Sequence, residues 1–185
     1  MAMKLIGFPL LGVVVTAIEG ATVLVTGGGR GIGKMLVEEL YGRGAGKVYA
    51  TARDPRTVTH PDAVPLALEV TDPASVTAAA EQAQDVTILI NSAGASKAAL
   101  WSQTNSLRLE LRPRGIAVTG LHVAYVDTDM TSGLDAPKAD PRDVAVAALD
   151  GIQAGAHEVL ADDTTRWVKS QLSADLEALY PRLNN

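Results

Sequence analysis

The sequence predicts a doubly wound α/β fold, in which helices cover both faces of a parallel β-sheet. Short apolar runs alternate along the chain with longer segments that repeat apolar residues at helical spacing. The short runs are apolar on both faces, which is typical of strands inside a parallel sheet. Since 185 residues is the length of one ordinary domain, a single α/β domain is expected.

The first 20 residues form an apolar segment with two interpretations. Lys4 precedes an uncharged run over residues 5–18, which Glu19 ends. The β-branched residues over 11–18 favour an extra strand or a tail outside the domain. A positive residue before an apolar stretch is also typical of a secretory signal. Glu19 stands where a small residue would be needed for cleavage, so the strand or tail is favoured.

Residues 21–185 alternate strands and helices. Strands are expected at residues 21–26, 47–51, 64–70, 86–90, 116–123 and 158–161. Helices are expected at residues 32–41, 73–84, 96–111, 141–152 and 164–179. Asp72 is a natural N-cap, and Pro73 suits the first turn that follows it. Counted from residue 21, the predicted strand order is 3-2-1-4-5-6, with the N-terminal run as a candidate seventh strand.

The glycine cluster TGGGRGIG predicts a dinucleotide-binding site. Gly27, Gly31 and Gly33 let backbone N–H groups approach a pyrophosphate, which then rests on the N-terminus of the next helix. The alternative is a tight turn without a ligand. The cluster follows a predicted strand and opens an amphipathic helix, and this context favours the binding site.

The end of the second strand indicates which dinucleotide is bound. NAD-binding domains usually carry an acidic residue there, but this chain has Thr51-Ala52-Arg53. Arg53, together with Arg30 in the glycine loop, is suited to a 2′-phosphate, unless both arginines simply face solvent. Asp54 follows directly and weakens this argument. NADP(H) is favoured over NAD(H).

Composition excludes several other functions. The net charge of −5 argues against a nucleic-acid-binding face, and no polybasic patch indicates a membrane surface. The chain has no cysteine, which excludes disulfides, thiolate catalysis and cysteine-based zinc sites. Its three histidines lack metal-ligand spacing, so no metal site is predicted.

Several motifs, in this order, resemble the short-chain dehydrogenase/reductase family. They are TGGGRGIG, EVTD at residues 69–72, NSAG at 91–94, ASKAAL at 95–100 and YVDTDM at 125–130. The resemblance implies a Rossmann-like NAD(P)-binding domain over residues 21–185. It also implies an oxidoreductase that transfers hydride between a nicotinamide and a small carbonyl or alcohol substrate. A cytoplasmic location is expected, because a dinucleotide site would be of little use elsewhere. Relatives form homo-oligomers through two helices, the one that carries the lysine and the one before it. The second of these is not found in this sequence, so the resemblance leaves the oligomeric state open.

The resemblance also implies a set of site residues. Glu69 and Val70 would flank the adenine, Asn91 and Gly94 the ribose, and Thr128 the carboxamide or pyrophosphate. With the residues named above, the cofactor-binding set is Gly27, Arg30, Gly31, Ile32, Gly33, Arg53, Glu69, Val70, Asn91, Gly94, Lys97 and Thr128. Lys97 resembles the active-site lysine and is the one catalytic residue expected.

The catalytic set that the family uses is incomplete in this sequence. Family members place a proton-donating tyrosine four residues before the lysine, on the same helix face. Here that position is Ala93, and the helix, strand, serine and tyrosine expected between Gly94 and Ala95 are not found. Tyr125 is the best alternative hydroxyl. The chain is therefore an oxidoreductase with altered chemistry, a catalytically silent NADP(H)-binding protein, or an inactive shortened form of an active parent.

Overall fold

The computed structural model describes residues 16–92, 104–106, 108–110, 112–114 and 117–172. The strands are β1 (Thr22–Thr26), β2 (Lys47–Ala52), β3 (Val64–Ala67), β4 (Ile88–Asn91), β5 (Gly120–His122) and β6 (Glu158–Leu160). The helices are α1 (Gly31–Gly42), α2 (Pro73–Gln82), α3 (Pro141–Gln153) and α4 (Asp163–Gln171). Residues 104–106 and 108–110 are also helical, within the helix predicted over 96–111. The N-terminal run over residues 1–15 lies outside the described residues.

The described strands form two parallel sheets, which confirms the fold class and part of the predicted order. Four strands pair in the order β3-β2-β1-β4, so the predicted order 3-2-1-4 is confirmed. The predicted pairing of the fifth strand with the fourth is wrong. In the described part of the chain β5 pairs only with β6, in a separate two-stranded sheet.

Helices cover both faces of the four-stranded sheet. On one face, α1 and α3 pack over a core that includes Val23, Val48, Leu40 and Leu149, all completely or almost completely buried. On the other face, a smaller cluster joins Leu24, Tyr49 and Leu66 to Ala79 of α2, with further members Leu68 and Ala83. Burial of apolar side chains on both faces is the arrangement expected for a doubly wound sheet.

Ion pairs join the helices α1 and α3. The guanidinium of Arg43, just after α1, lies 3.0 Å from Glu39 and 2.8 Å from Asp150 of α3. Arg142 at the start of α3 reaches Glu38 of α1 at 2.8 Å. Because α3 also packs on β6, this helix connects the two-stranded sheet to α1 and to the core of the four-stranded sheet.

Several predicted elements are longer than the observed ones. β3 ends at Ala67 rather than residue 70 because its ladder partner β2 ends at Ala52. β5 covers three residues rather than the predicted eight because β6, its partner, is itself three residues long. The caps predicted for α2 are confirmed, since a carboxylate oxygen of Asp72 accepts the Ala74 N–H at 3.0 Å.

Candidate dinucleotide-binding site

The loop between β1 and α1 requires glycine at several positions. Gly27 and Gly31 have φ angles of 71° and 54°, in the left-handed region that other residues rarely adopt. A Cβ atom on Gly33 would lie 2.1 Å from the carbonyl oxygen of Gly27. A Cβ atom on Gly28 would lie 2.9 Å from the Cβ of Ala50 on β2. The first turn of α1 therefore packs against the backbone of the loop, as the glycine motif predicts.

The N-terminus of α1 differs from those of the other labelled helices. α2, α3 and α4 each begin after an aspartate whose carboxylate accepts a first-turn N–H, namely Asp72, Asp140 and Asp162. The N-cap of α1 is Arg30, which makes no side-chain capping bond, and the first turn holds no acidic residue. The positive end of this helix dipole is therefore available to an anion. The bare loop and the uncapped helix together fit a pyrophosphate.

The segment after β2 carries the charges that would distinguish two related cofactors. Arg30 lies within the glycine loop and Arg53 directly follows β2, and both are exposed. The carboxylate of Asp54 accepts three hydrogen bonds from Arg56. The backbone N–H of Arg56 donates at 3.1 Å, and its Nε and Nη2 donate at 2.9 Å each. These bonds from Arg56 lower the pKa of Asp54. Asp54 is thus held by Arg56 of its own loop.

Glu69 lies close enough to Arg53 for the two charges to interact. The Glu69 carboxylate accepts the hydroxyl of Thr71 at 2.9 Å and its N–H at 3.2 Å. These bonds lower the pKa of Glu69, and the positive charge of Arg53 lowers it further. Two residues predicted from separate motifs therefore meet at the carboxyl ends of β2 and β3.

Thr26 is a site-edge residue that sequence analysis missed. Its hydroxyl donates to Oδ1 of Asn91 at 2.7 Å and accepts the N–H of Ser92 at 2.9 Å. The carboxyl ends of β1 and β4 are thus tied together, with Asn91 oriented by a buried partner. The sequence did contain a signal for this contact. Thr26 is the last residue of the apolar strand β1, and Asn91 is the last residue of the apolar strand β4, so two polar residues were expected at the same edge of the sheet.

The segment after β5 reaches back to the glycine loop. The methyl group of Thr128 lies 3.3 Å from the point that a Cβ atom on Gly31 would occupy. Asp162 fixes the start of this segment, because its carboxylate accepts the N–H of Ala124 at 2.7 Å. Although no strand pairing joins the two sheets in the described residues, the segment after β5 therefore comes close to the glycine loop that follows β1.

Tyr125 occupies a different environment. It is partly exposed and lines a cavity of about 250 Å³ with Lys138, Asp162 and Thr164 among its neighbours. No contact between Tyr125 and the glycine loop is found among the described residues.

The described residues thus bring most of the predicted set to one edge of the fold. The N-terminal end of α1 and the carboxyl ends of the strands carry Gly27, Arg30, Gly31, Ile32, Gly33, Arg53, Glu69, Val70, Asn91 and Thr128. Gly94 and Lys97 lie outside the described residues. In the described part of the chain no cluster of three or more acidic, histidine or cysteine residues could hold a metal ion. None of the described helices is long and apolar enough to span a membrane.

Comparison with known proteins identifies the family. The family model for short chain dehydrogenases matches residues 21–95 and 94–139. The chain therefore belongs to the short-chain dehydrogenase family.

Individual relatives agree with this assignment. An uncharacterised oxidoreductase from Staphylococcus saprophyticus is 37% identical over 75 residues, which are 39% of this chain and 32% of that protein. The match thus spans about a third of the relative's length. A short chain dehydrogenase from Burkholderia cenocepacia, solved in complex with NADP, is 26% identical, with a TM-score of 0.83 over 92% of this chain and 100% of that one. An NADPH-bound carbonyl reductase from chicken fatty liver shares the fold at 22% identity and a TM-score of 0.65, over 78% and 90%.

Proposed function

We propose that this protein binds NADP(H) and is an oxidoreductase that acts on a small carbonyl or alcohol compound in the cytoplasm. The observation that carries the proposal is the glycine loop joined to an uncapped helix N-terminus. Gly33 packs against the Gly27 carbonyl, so the first turn of α1 presents its N–H groups at the loop surface. A pyrophosphate fits this arrangement without displacing any capping side chain.

The preference for NADP(H) rests on Arg53 and Arg30. Their guanidinium groups are the donors suited to a 2′-phosphate, and the carboxylate that would repel it, Asp54, is already neutralised by Arg56. Glu69 lies near enough to Arg53 for the charge of the arginine to contribute to lowering the pKa of the Glu69 carboxyl. The Burkholderia relative binds NADP, which agrees with this preference.

A bound nicotinamide would supply or accept the hydride, and the chain would have to supply the proton. Lys97 resembles the family lysine that binds the ribose, but Ala93 stands at the position of the proton donor. Turnover therefore depends on another hydroxyl or on water. The absence of the tyrosine from the sequence favours a second candidate function, which is NADP(H) binding without catalysis.

Isothermal titration with NADPH and NADH tests the cofactor assignment. We expect NADPH to bind in the micromolar range and NADH more weakly. Arg53→Ala should weaken NADPH binding roughly 10- to 100-fold, because a charge-assisted hydrogen bond contributes about 1.5–3 kcal/mol. NADH binding should be unchanged in that variant. The matched control is Arg166→Ala on α4, an arginine whose side chain is 54% exposed and pairs with Asp163 of the same helix.

Two results would contradict the assignment. Equal affinities for NADPH and NADH in the unmodified protein would refute the preference, and no binding by a folded chain would refute the site. Substrate-dependent oxidation of NADPH, followed by absorbance with a panel of aldehydes and ketones, then separates the two candidate functions. Tight binding with no oxidation supports the catalytically silent protein.

A further inference from the structure

An acidic residue, Asp54, follows β2 two positions after the strand ends at Ala52. NAD-binding domains use a carboxylate in this region to accept a hydrogen bond from the ribose 2′-hydroxyl. The same charge would repel the 2′-phosphate of NADP(H), because both groups are anionic. Asp54 therefore opposes the preference assigned to Arg53 unless another group occupies its carboxylate.

Arg56 engages both carboxylate oxygens of Asp54. Oδ1 accepts the backbone N–H of Arg56 at 3.1 Å and its Nε at 2.9 Å, and Oδ2 accepts Nη2 at 2.9 Å. A guanidinium that donates to both oxygens of one carboxylate has the most favourable geometry for such a pair. The Arg56 side chain is 88% exposed, so the pair with Asp54, rather than burial, sets its position.

The turn that carries this pair rests on the glycine loop. The Thr57 hydroxyl donates to the backbone carbonyl of Asp54 at 2.8 Å, and a Cβ atom on Gly29 would collide with that hydroxyl. The N–H of Gly28 donates to the carbonyl of Thr51 at 2.8 Å. Both ends of the segment 51–57 therefore touch the loop that would hold the pyrophosphate, and Asp54 lies between them.

The balance of charge at this place depends on the pair. The glycine loop, residues 53–57 and residue 69 carry three arginines and two carboxylates, which are Arg30, Arg53, Arg56, Asp54 and Glu69. Their sum is one positive charge. Removal of Arg56 alone leaves no net charge and frees the carboxylate of Asp54. Removal of the charge from both members of the pair restores the sum of the unmodified protein, so the two changes can be told apart.

We propose that Arg56 is a specificity-determining residue that favours NADP(H) by occupying the carboxylate of Asp54. The inference rests on the proposed function, because it requires a dinucleotide at the glycine loop. With the pair formed, the negative charge of Asp54 is compensated and both its oxygens are engaged. Without the guanidinium, Asp54 repels a 2′-phosphate and accepts the 2′-hydroxyl of NADH, as the acidic residue of NAD-binding domains does.

Isothermal titration of the full chain with NADPH and NADH tests the proposal in three variants, Arg56→Ala, Asp54→Asn and the two combined. Arg56→Ala is expected to weaken NADPH binding roughly 3- to 10-fold, the effect of one unit of charge at an exposed site, and to strengthen NADH binding. The combined variant should bind NADPH within roughly twofold of the unmodified protein, because its charge balance is restored. The backbone N–H of residue 56 is present in every variant, so the turn is retained.

The outcomes separate the inference from the proposed function. If the combined variant bound NADPH as weakly as Arg56→Ala, Arg56 would contact the phosphate directly and the inference would be overturned. Affinities for NADPH and NADH that Arg56→Ala leaves unchanged would also overturn it, while the proposed function would stand. No dinucleotide binding by the folded, unmodified chain would overturn both.

The matched control is a second arginine–aspartate pair, on α4. Nε and Nη2 of Arg166 donate to Oδ1 of Asp163 at 3.2 and 2.7 Å. Arg166→Ala, alone and combined with Asp163→Asn, changes the net charge of the chain by the same steps. We expect neither variant to alter the ratio of NADPH to NADH affinity. A change in this ratio as large as that caused by Arg56→Ala would reflect the net charge of the whole chain and would overturn the inference.

The pair can also be measured without a cofactor. The side-chain and backbone hydrogen bonds from Arg56 lower the pKa of Asp54. Arg56→Ala removes the side-chain bonds, so the pKa of Asp54 should rise toward its ordinary value of 3.8 in a carboxyl-detected NMR titration. Arg166→Ala should leave that pKa unchanged. A pKa of Asp54 that is the same in Arg56→Ala and in the unmodified protein would overturn the inference.

Discussion

Asp162 connects α4 to the segment that reaches the glycine loop, so its removal should affect both stability and binding. One carboxylate oxygen accepts the N–H of Thr165 at 2.7 Å as the helix N-cap, and the other accepts the N–H of Ala124 at 2.7 Å. Loss of an N-cap costs about 1 kcal/mol, and loss of a bond to a charged acceptor costs about 1.5–3 kcal/mol. Asp162→Ala is therefore expected to lower the free energy of unfolding by about 2–4 kcal/mol.

Thermal and urea denaturation followed by circular dichroism measure this change. For a domain of this size the expected loss corresponds to a fall in Tm of roughly 5–15 °C. The matched control is Asp163→Ala at the next residue, whose side chain is 99% exposed and pairs with Arg166. Such an exposed pair contributes less than about 1 kcal/mol. If the two variants lost equal stability, the role assigned to Asp162 would be refuted.

The same residue should contribute to the acid dependence of stability. Burial raises the pKa of Asp162, but the hydrogen bonds from Ala124 and Thr165 outweigh it, so the pKa lies below its ordinary value of 3.8. A group with a lowered pKa stabilises the fold above its unfolded pKa and loses this contribution as the pH falls through its folded pKa. Asp162→Asn should therefore flatten the decline in stability below pH 3.8. A decline as steep as that of the unmodified protein would contradict the assignment.

Three further substitutions test the packing around the site. Gly33→Ala should abolish NADPH binding in titrations, because the added methyl group would meet the Gly27 carbonyl at 2.1 Å. Arg43→Met should lower the free energy of unfolding in urea by about 1–3 kcal/mol, because it removes the ion pairs that join α1 to α3. Thr26→Val should cost about 1–3 kcal/mol in the same assay and weaken NADPH binding, because Asn91 loses its buried partner.

Each of these substitutions has a control elsewhere in the chain. Gly42→Ala adds a methyl group with nothing within 4 Å, so NADPH binding should be retained. Arg56→Met removes an exposed arginine, and Thr77→Val removes an exposed hydroxyl that bonds only to a carbonyl of its own helix. Both should change stability by less than about 0.5 kcal/mol. Losses in the controls that equal those in the site variants would refute the assigned contacts.

The sequence predicts the first half of the fold well because its signals are local. A few neighbouring residues are enough to recognise the glycine loop, the Asp72 cap and the apolar strands β1 and β2. The pairing of β5 could not be predicted in this way. It is set by contacts between parts of the chain that are far apart in sequence, such as the pairing of β5 with β6 and the ion pair between Arg43 and Asp150.

The candidate site shows the same division. The glycines and Arg53 follow from motifs, and the charge of Arg53 reaches Glu69, which was predicted from a separate motif. The pairing of Asp54 with Arg56 could not be predicted, because it requires the turn that directs the Arg56 side chain back onto the Asp54 carboxylate. Thr26 was missed for a related reason, since its role arises only once β1 and β4 are side by side.

The packing of α3 against α1 also bears on how the two sheets are held together. In this chain the helical layer on one face runs across an interval in the strands and holds both sheets to one core. The packed helices α1 and α3 are therefore continuous, whereas the hydrogen-bonded strands are divided between two sheets. In the described residues, β5 and β6 are therefore joined to the four-stranded sheet by helix packing and not by strand pairing. A substitution that loosens α3 from α1 would act on both sheets at once.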